Sequence, residues 1–342
     1  MLKISSPGRI CLFGEHQDYL GLPVIAMAIP LYSTIKGDIN SDKKVVIHKI
    51  NLNEIETFNI NDLSYKKPRD YFKSGIRVCM KEGLQFSSGF KVEISSQIPF
   101  NAGCGGSSSI MTSWISFLSH KANNPAQWNP QKIGALAYEA EVKEFDESGG
   151  MMDQYASAVG GLLYLESTPN ISIQSIRKPL KSFILGDSQE PKDTLGILKR
   201  CKDEQLFIID KLKKKMPDFD LSLCTLSDFR IYLDEDEIEI IDGTLKNRDN
   251  LLRALSILKK DVLDKKEFGI LLNHHHQVLR DTFKVSTNKI DRMITAALDA
   301  GALGAKINGS GGGGCMFAYA PNNTKEVAQA IESVGGKVYI LD

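Results

Sequence analysis

The sequence predicts a protein of mixed helices and strands arranged in two domains. Three observations lead there. Strand-like stretches open the chain, and helical spacing dominates its second half. At 342 residues the chain exceeds the usual size of one hydrophobic core. A hydrophobic content of 42% with 25% charged residues is that of an ordinary folded protein, so neither a disordered chain nor a membrane bundle fits.

In chain order, Leu2 to Ile4, Val24 to Ile29, Tyr32 to Ile39 and Lys44 to Ile50 read as strands. Asp62 to Pro68 is a polar connection. Tyr71 to Glu82 has helical spacing through Phe72, Ile76 and Met80, and Gly83 closes it. Gly89 to Ile98 alternates apolar and polar residues as a strand does. Ile110 to Leu118 and Gln131 to Glu144 are helical, and Gly160 to Glu166 returns as a strand. A boundary there gives domains of residues 1–166 and 167–342. In the second half, a strand from Phe183 to Gly186 leads into the polar segment Asp187 to Thr194. Helices follow over Leu195 to Lys215, Asn247 to Leu263 and Phe268 to Arg280. The acidic run Asp234 to Asp242 reads as exposed surface. Met316 to Ala320 and Lys337 to Leu341 are strands flanking a helix, Lys325 to Val334.

Lys plus Arg equals Asp plus Glu at 42 each, so no global field favours nucleic acid or an anionic membrane. Cys11, Cys79, Cys104, Cys201, Cys224 and Cys315 show no CxxC spacing and read as thiols of a reducing compartment. Met1 to Pro7 has no apolar core of signal-peptide length, and no run reaches the ~18 apolar residues of a membrane span. A soluble, cytoplasmic protein is expected.

Four stretches carry chemistry. The first, Ser6 to Tyr19, packs Arg9, Glu15, His16 and Asp18 between apolar strands. Ile10, Leu12 and Phe13 are expected in a core, while Glu15, His16 and Asp18 can converge on a polar ligand, since carboxylates accept hydrogen bonds from hydroxyls. A salt-bridged junction is the alternative. The second, Ile98 to Ser109, is a strand, a glycine turn and a serine-rich helix start. Backbone N–H groups and the positive helix end there suit an anion, and serine hydroxyls can cap the helix or meet Mg²⁺. No Gly-Lys-Ser/Thr follows, so it is not a Walker loop. A flexible turn with a serine cap is the bland reading.

Asp153 stands among small and apolar residues in Gly149 to Ala158, where a carboxylate is either buried with a partner or catalytic. Gly304 to Cys315 holds a literal GxGxxG, but it lies between two strands instead of opening a helix, so a dinucleotide fingerprint fails on context. Such a hairpin loop can pack against a phosphate loop and stiffen it. Consecutive His274, His275 and His276 face different ways on a helix, which argues against a metal site.

Together, PGRxxLxGEHxDY, the Pro-x-x-x-Gly-x-Gly-x-Ser-Ser stretch and the late glycine loop resemble the GHMP kinase superfamily of galactokinase, homoserine kinase, mevalonate kinase and phosphomevalonate kinase. Gly150-Met151-Met152-Asp153-Gln154 and His276 to Ser286 resemble galactokinase. The resemblance implies a two-domain α+β fold with its active site in the interdomain cleft. It also implies an ATP- and Mg²⁺-dependent kinase of the anomeric hydroxyl of galactose or a relative, as monomer or homodimer. Asp153 matches the catalytic aspartate and Arg9 the arginine beside it. Glu15, His16, Asp18 and Gly150 match the sugar site. Gly103, Gly105, Gly106, Ser107 and Ser108 match the phosphate loop, and Ser107 and Glu141 the metal ligands.

Departures from the galactokinase pattern are Gln17 for Thr, Leu20 for Asn and Cys11 for Asn. The phosphate loop has fewer serines, and Gly309 to Gly314 is closer to the mevalonate type. They leave arabinose, galacturonate and N-acetylgalactosamine as further candidate sugars. A mevalonate-type kinase and a sugar- and ATP-binding sensor without turnover are the other readings.

Overall fold

The computed structural model describes residues 1–168, 170–191 and 194–342. Lys192 and Asp193, in the polar segment expected after the strand Phe183 to Gly186, lie outside the described residues. The chain divides into two compact units that interleave in sequence. One comprises 1–9, 28–100 and 105–161; the other 10–27, 101–104 and 162–342. The second unit thus draws in two short early segments as well as the expected C-terminal block.

In the first unit, β1 (Leu2–Phe13, of which 2–9 belong here) pairs with β2 (Val24–Ile39). The two stretches expected around Pro30 are one strand, in which Pro30 is exposed and lies between the paired runs 24–27 and 33–39. β2 pairs antiparallel with β5 (Phe90–Ser96), β5 parallel with β3 (Lys44–Lys49), and β3 antiparallel with β4 (Glu54–Asn59). Over this sheet lie α1 (Tyr71–Lys81), α2 (Gly106–Lys121) and α3 (Pro130–Glu141). Ile35, Val45, Ile47 and Val92 of the strands meet Ile76, Trp114, Phe117 and Leu136 of the helices. Met80 is exposed, since the inward row of α1 runs through Ile76 and Cys79. Asn129 caps α3 by accepting from the N–H of Lys132, and Pro130 occupies the first turn. α4 (Met152–Val159) completes the unit.

In the second unit, residues 24–27 of β2 pair with β6 (Leu162–Glu166), which pairs with β7 (Ser172–Ser175). A second, antiparallel sheet runs β11 (Lys337–Leu341), β8 (Phe183–Asp187), β10 (Cys315–Tyr319), β9 (Gly304–Ile307). Its helices are α5 (Thr194–Lys215), α6 (Leu226–Phe229), α7 (Glu235–Leu258), α8 (Lys265–Gln277), α9 (Asn288–Asp299) and α10 (Thr324–Ser333). α9, α10 and the π-helical turn after α8 (Val278–Thr282) pack Leu279, Ile290, Met293 and Ile331 onto Ile184, Ile307 and Met316.

Beyond the elements expected from sequence, the structure adds β4, α4, β7, α6 and α9. It also starts α7 twelve residues earlier than the expected Asn247. The acidic run opens that helix: Asp234 is its N-cap, Glu235, Asp236 and Glu237 fill the first turn, Asp234 and Glu237 form a reciprocal capping box, and carboxylates favour the positive end. All six cysteines are reduced thiols. Among the described residues no helix is long and apolar enough to cross a membrane.

Trp114 anchors the helix that follows the glycine-serine turn. It is fully buried, stacks on Phe117 at 5.5 Å and donates from Nε1 to the Phe72 carbonyl at 3.0 Å. Trp114→Ala should cost about 3–5 kcal/mol of unfolding free energy by urea denaturation. A loss below about 1 kcal/mol would show that α2 is held elsewhere.

Candidate active site

The first unit brings together Arg9, Gly105, Gly106, Ser107, Ser108, Glu141 and Asp153. Arg9 comes from β1, and Asp153 from the first turn of α4. The guanidinium grips the carboxylate with both forks: Nε donates to Asp153 Oδ1 at 2.7 Å and Nη2 to Oδ2 at 2.6 Å. Arg9 is buried, whereas the Asp153 side chain keeps 27% of its surface open. A bidentate pair of this kind fixes the carboxylate plane as well as its position. A side chain at Gly105 would stand 3.3 Å from Arg9 Cγ and 3.7 Å from Asp153 Oδ2, so the glycine turn lies against the pair.

Gly105, in the left-handed region at φ 70°, precedes the first residue of α2 and offers no side-chain cap. The early N–H groups of such a helix lack intrahelical partners, and the macrodipole adds partial positive charge. Ser109, expected only as part of a serine-rich start, turns inward and donates to the Ser6 carbonyl at 2.6 Å. Ser107 stays exposed.

Glu141 closes α3 and is buried. Its Oε2 accepts from Gln154 Nε2 at 2.8 Å, and the same nitrogen lies 3.2 Å from Ser108 Oγ. Burial pushes the Glu141 carboxyl above the ordinary carboxylate range; hydrogen bonds from Ser107, Gln154 and Ser108 work against that rise. Gln154, one residue past Asp153, joins the site without having been expected there. Gly150, in the turn before α4, is half-buried.

The second unit holds Glu15, His16, Asp18 and Gly103. Glu15 is buried in an ion pair: Lys306 Nζ, from β9, donates to Oε1 at 2.6 Å. The same ammonium donates to the carbonyls of Cys11 at 3.1 Å and Ile307 at 2.8 Å, so all three of its hydrogens are used. The Gly309 N–H reaches Glu15 Oε1 at 3.2 Å. Oε2 lies 3.7 Å from Nε2 of His275, whose burial pushes its pKa well below the usual histidine range. His16, at φ 61°, lies between Tyr19 Oη and the Ser310 carbonyl, each 3.1 Å from a ring nitrogen. Both are buried; Asp18, in the short helical turn Asp18–Leu20, is half-buried. Lys306 was not singled out by the sequence reading, although a lysine within Gly304-Ala305-Lys306-Ile307 stands among small and apolar residues much as Asp153 does.

The glycine hairpin packs against the turn as anticipated. The Cys315 N–H donates to the Ala102 carbonyl at 2.9 Å. A Cβ at Gly309 would fall 2.6 Å from the Gly103 carbonyl oxygen, and one at Gly314 2.7 Å from that of Ala102, so no side chain fits at either position. His275 stacks on Phe13, His276 Nε2 lies 3.4 Å from Asp291 Oδ1, and His274 is exposed. Among the described residues there is no cluster of three His, Cys, Asp or Glu that could hold a metal ion.

Comparison with known proteins adds the family. Residues 70–161 match the GHMP kinases N terminal domain and 253–340 the GHMP kinases C terminal domain. A mevalonate kinase from Thermococcus sibiricus is 30% identical over 97% of this chain and 93% of its own length. The chain belongs to the GHMP kinases. It is a phosphotransferase with an alcohol as acceptor, and as a member of this family it uses ATP. Residues 3–36 match the galactokinase galactose-binding signature. A galactokinase from Clostridium perfringens is 29% identical over 96% of the chain and 88% of its own length. The crystal structure of Lactococcus lactis galactokinase complexed with galactose superposes with a TM-score of 0.87 at 23% identity, covering 99% of this chain and 92% of that one.

Breaking the buried pair from one side leaves a charge without its counterion. Lys306→Met should destabilise by about 3–5 kcal/mol, and adding Glu15→Gln should recover part of that loss. Urea unfolding of the two single variants and the double variant checks this. Additive losses would mean that the two groups do not support one another.

Proposed function

We propose that the chain is an ATP- and Mg²⁺-dependent sugar kinase that phosphorylates the C1 hydroxyl of galactose or a closely related monosaccharide. The observation that carries this reading is the Arg9–Asp153 pair set against the glycine turn at Gly105. Phosphoryl transfer depends on positioning and on charge stabilisation, with a carboxylate to receive or orient the acceptor proton. Asp153 serves as that carboxylate, and Arg9 fixes its plane so that the open face meets the hydroxyl. Gly103, Gly105, Gly106 and the N-terminal N–H groups of α2 cradle phosphate.

The oxygen-only set of Glu141, Ser107 and Ser108 fits a small hard cation, and Glu141 is buried with no cationic side chain among its hydrogen-bond partners. Ser107 and Glu141 would hold Mg²⁺, which when bound with ATP neutralises phosphate charge. Gln154 keeps the Glu141 carboxylate in place.

For the acceptor, Glu15, His16, Asp18 and Gly150 are proposed as the sugar site. Asp18 is the more open of the two carboxylates, while Glu15 acts from within its lysine pair. Acidic side chains accept hydrogen bonds from the hydroxyls of a sugar. The galactose-binding signature over this stretch supports the same choice. The second reading, a mevalonate kinase, is favoured by the 30% identity to the Thermococcus enzyme.

ADP release with Mg-ATP should appear with galactose or with arabinose, galacturonate or N-acetylgalactosamine, and not with mevalonate or homoserine. Turnover with mevalonate alone overturns the sugar reading. Asp153→Asn should lower turnover by about 100-fold or more while Mg-ATP binding, followed by calorimetry, persists. Near-normal turnover in that variant removes Asp153 from the chemistry.

A further inference from the structure

Asn308 is fully buried at the end of β9 and uses both ends of its amide on backbone. Its Oδ1 accepts from the Cys11 N–H of β1 at 2.9 Å. Its Nδ2 donates to the Gly103 carbonyl at 2.9 Å and lies 3.5 Å from Cys104 Sγ. Its own N–H donates to the Cys315 carbonyl at 2.9 Å. One side chain therefore links β1, the phosphate turn and the glycine hairpin within the second unit.

A trans peptide is planar, so fixing a carbonyl fixes the following N–H in the opposite direction. Asn308 holds the Gly103 carbonyl, which sets the direction of the Cys104 N–H. The Cys315 N–H holds the Ala102 carbonyl, which sets that of the Gly103 N–H. Two successive N–H groups thus face away from the hairpin, and a run of such groups makes an anion-binding concavity. We propose that Asn308 is the positioning residue that pre-sets this turn for the phosphates of the nucleotide, through the bidentate link from Cys11 to Gly103. The inference rests on the nucleotide reading of the turn, not on the identity of the acceptor.

The test is Asn308→Asp, which keeps size and shape and can still accept from Cys11 but places an oxygen against the Gly103 carbonyl. Titration calorimetry with Mg-ATP should show affinity weakened about tenfold or more, because a buried carbonyl loses its donor. The KM of whichever acceptor the parent protein turns over should stay within about twofold of the parent value. Alkylation of Cys104 should quicken, and Mg-ATP should slow it again. Asn308→Ser, a shorter donor and acceptor, is read in the same way if the aspartate variant does not fold.

Unchanged Mg-ATP affinity in a folded variant overturns the proposal. So do equal losses for nucleotide and for the acceptor that the parent turns over, together with a lowered melting temperature, which would mark a merely structural residue. If the parent protein itself binds no Mg-ATP, the nucleotide reading of the turn fails and takes this inference with it.

Discussion

The buried pair of Lys306 and Glu15 is the constraint on which the second unit's Gly14-Glu15-His16 segment depends. A bare ammonium and a bare carboxylate in the interior each cost several kcal/mol in desolvation. Here the ammonium spends its three hydrogens on Glu15 and on two carbonyls, one of them Cys11 of β1. The carboxylate in turn receives the Gly309 N–H at the start of the glycine hairpin. The pair consequently fixes the register of the early Gly14-Glu15-His16 segment against β9 and its following loop, although these are nearly 300 residues apart in sequence. An apolar substitute of equal volume could fill the space, but it could not hold those three backbone groups in one orientation.

The first unit solves a different problem. Its two carboxylates at the candidate site are held at contrasting depths. Asp153 is gripped on both oxygens by a buried arginine and still keeps an open face, whereas Glu141 is sunk among hydroxyl and amide donors. Two carboxylates near one another thus sit in different surroundings, the arrangement by which one fold assigns separate roles to chemically alike groups. The glycine at 105 permits this closeness, because a larger residue would press on the arginine that orients Asp153.

The four chemical stretches were legible because each breaks a local rule: charges between apolar strands, glycines before a helix, an aspartate among small residues, glycines between strands. The family resemblance then supplied their roles. Elements whose patterns are ordinary but interrupted were less legible. Gly243 interrupts the residue pattern of the continuous α7, and its reason is tertiary, since a Cβ there would meet Thr282 Cγ2 at 2.7 Å. β7, four residues of mostly polar edge strand, has almost no pattern to read. Lys306 and Asn308 were missed because their significance lies in partners distant along the chain.

What the sequence by itself determined was the chemistry present and the elements that carry it. Periodicity, caps and glycine placement are local, so they survive without any knowledge of the fold. Tertiary structure alone decided how those groups meet: that Glu15 is paired with Lys306, that Arg9 takes both oxygens of Asp153, and that Asn308 and Cys315 fasten the turn at Gly103 and Ala102. Such pairings depend on loop closure over 100 to 300 residues and on burial, and neither leaves a mark in a neighbouring residue.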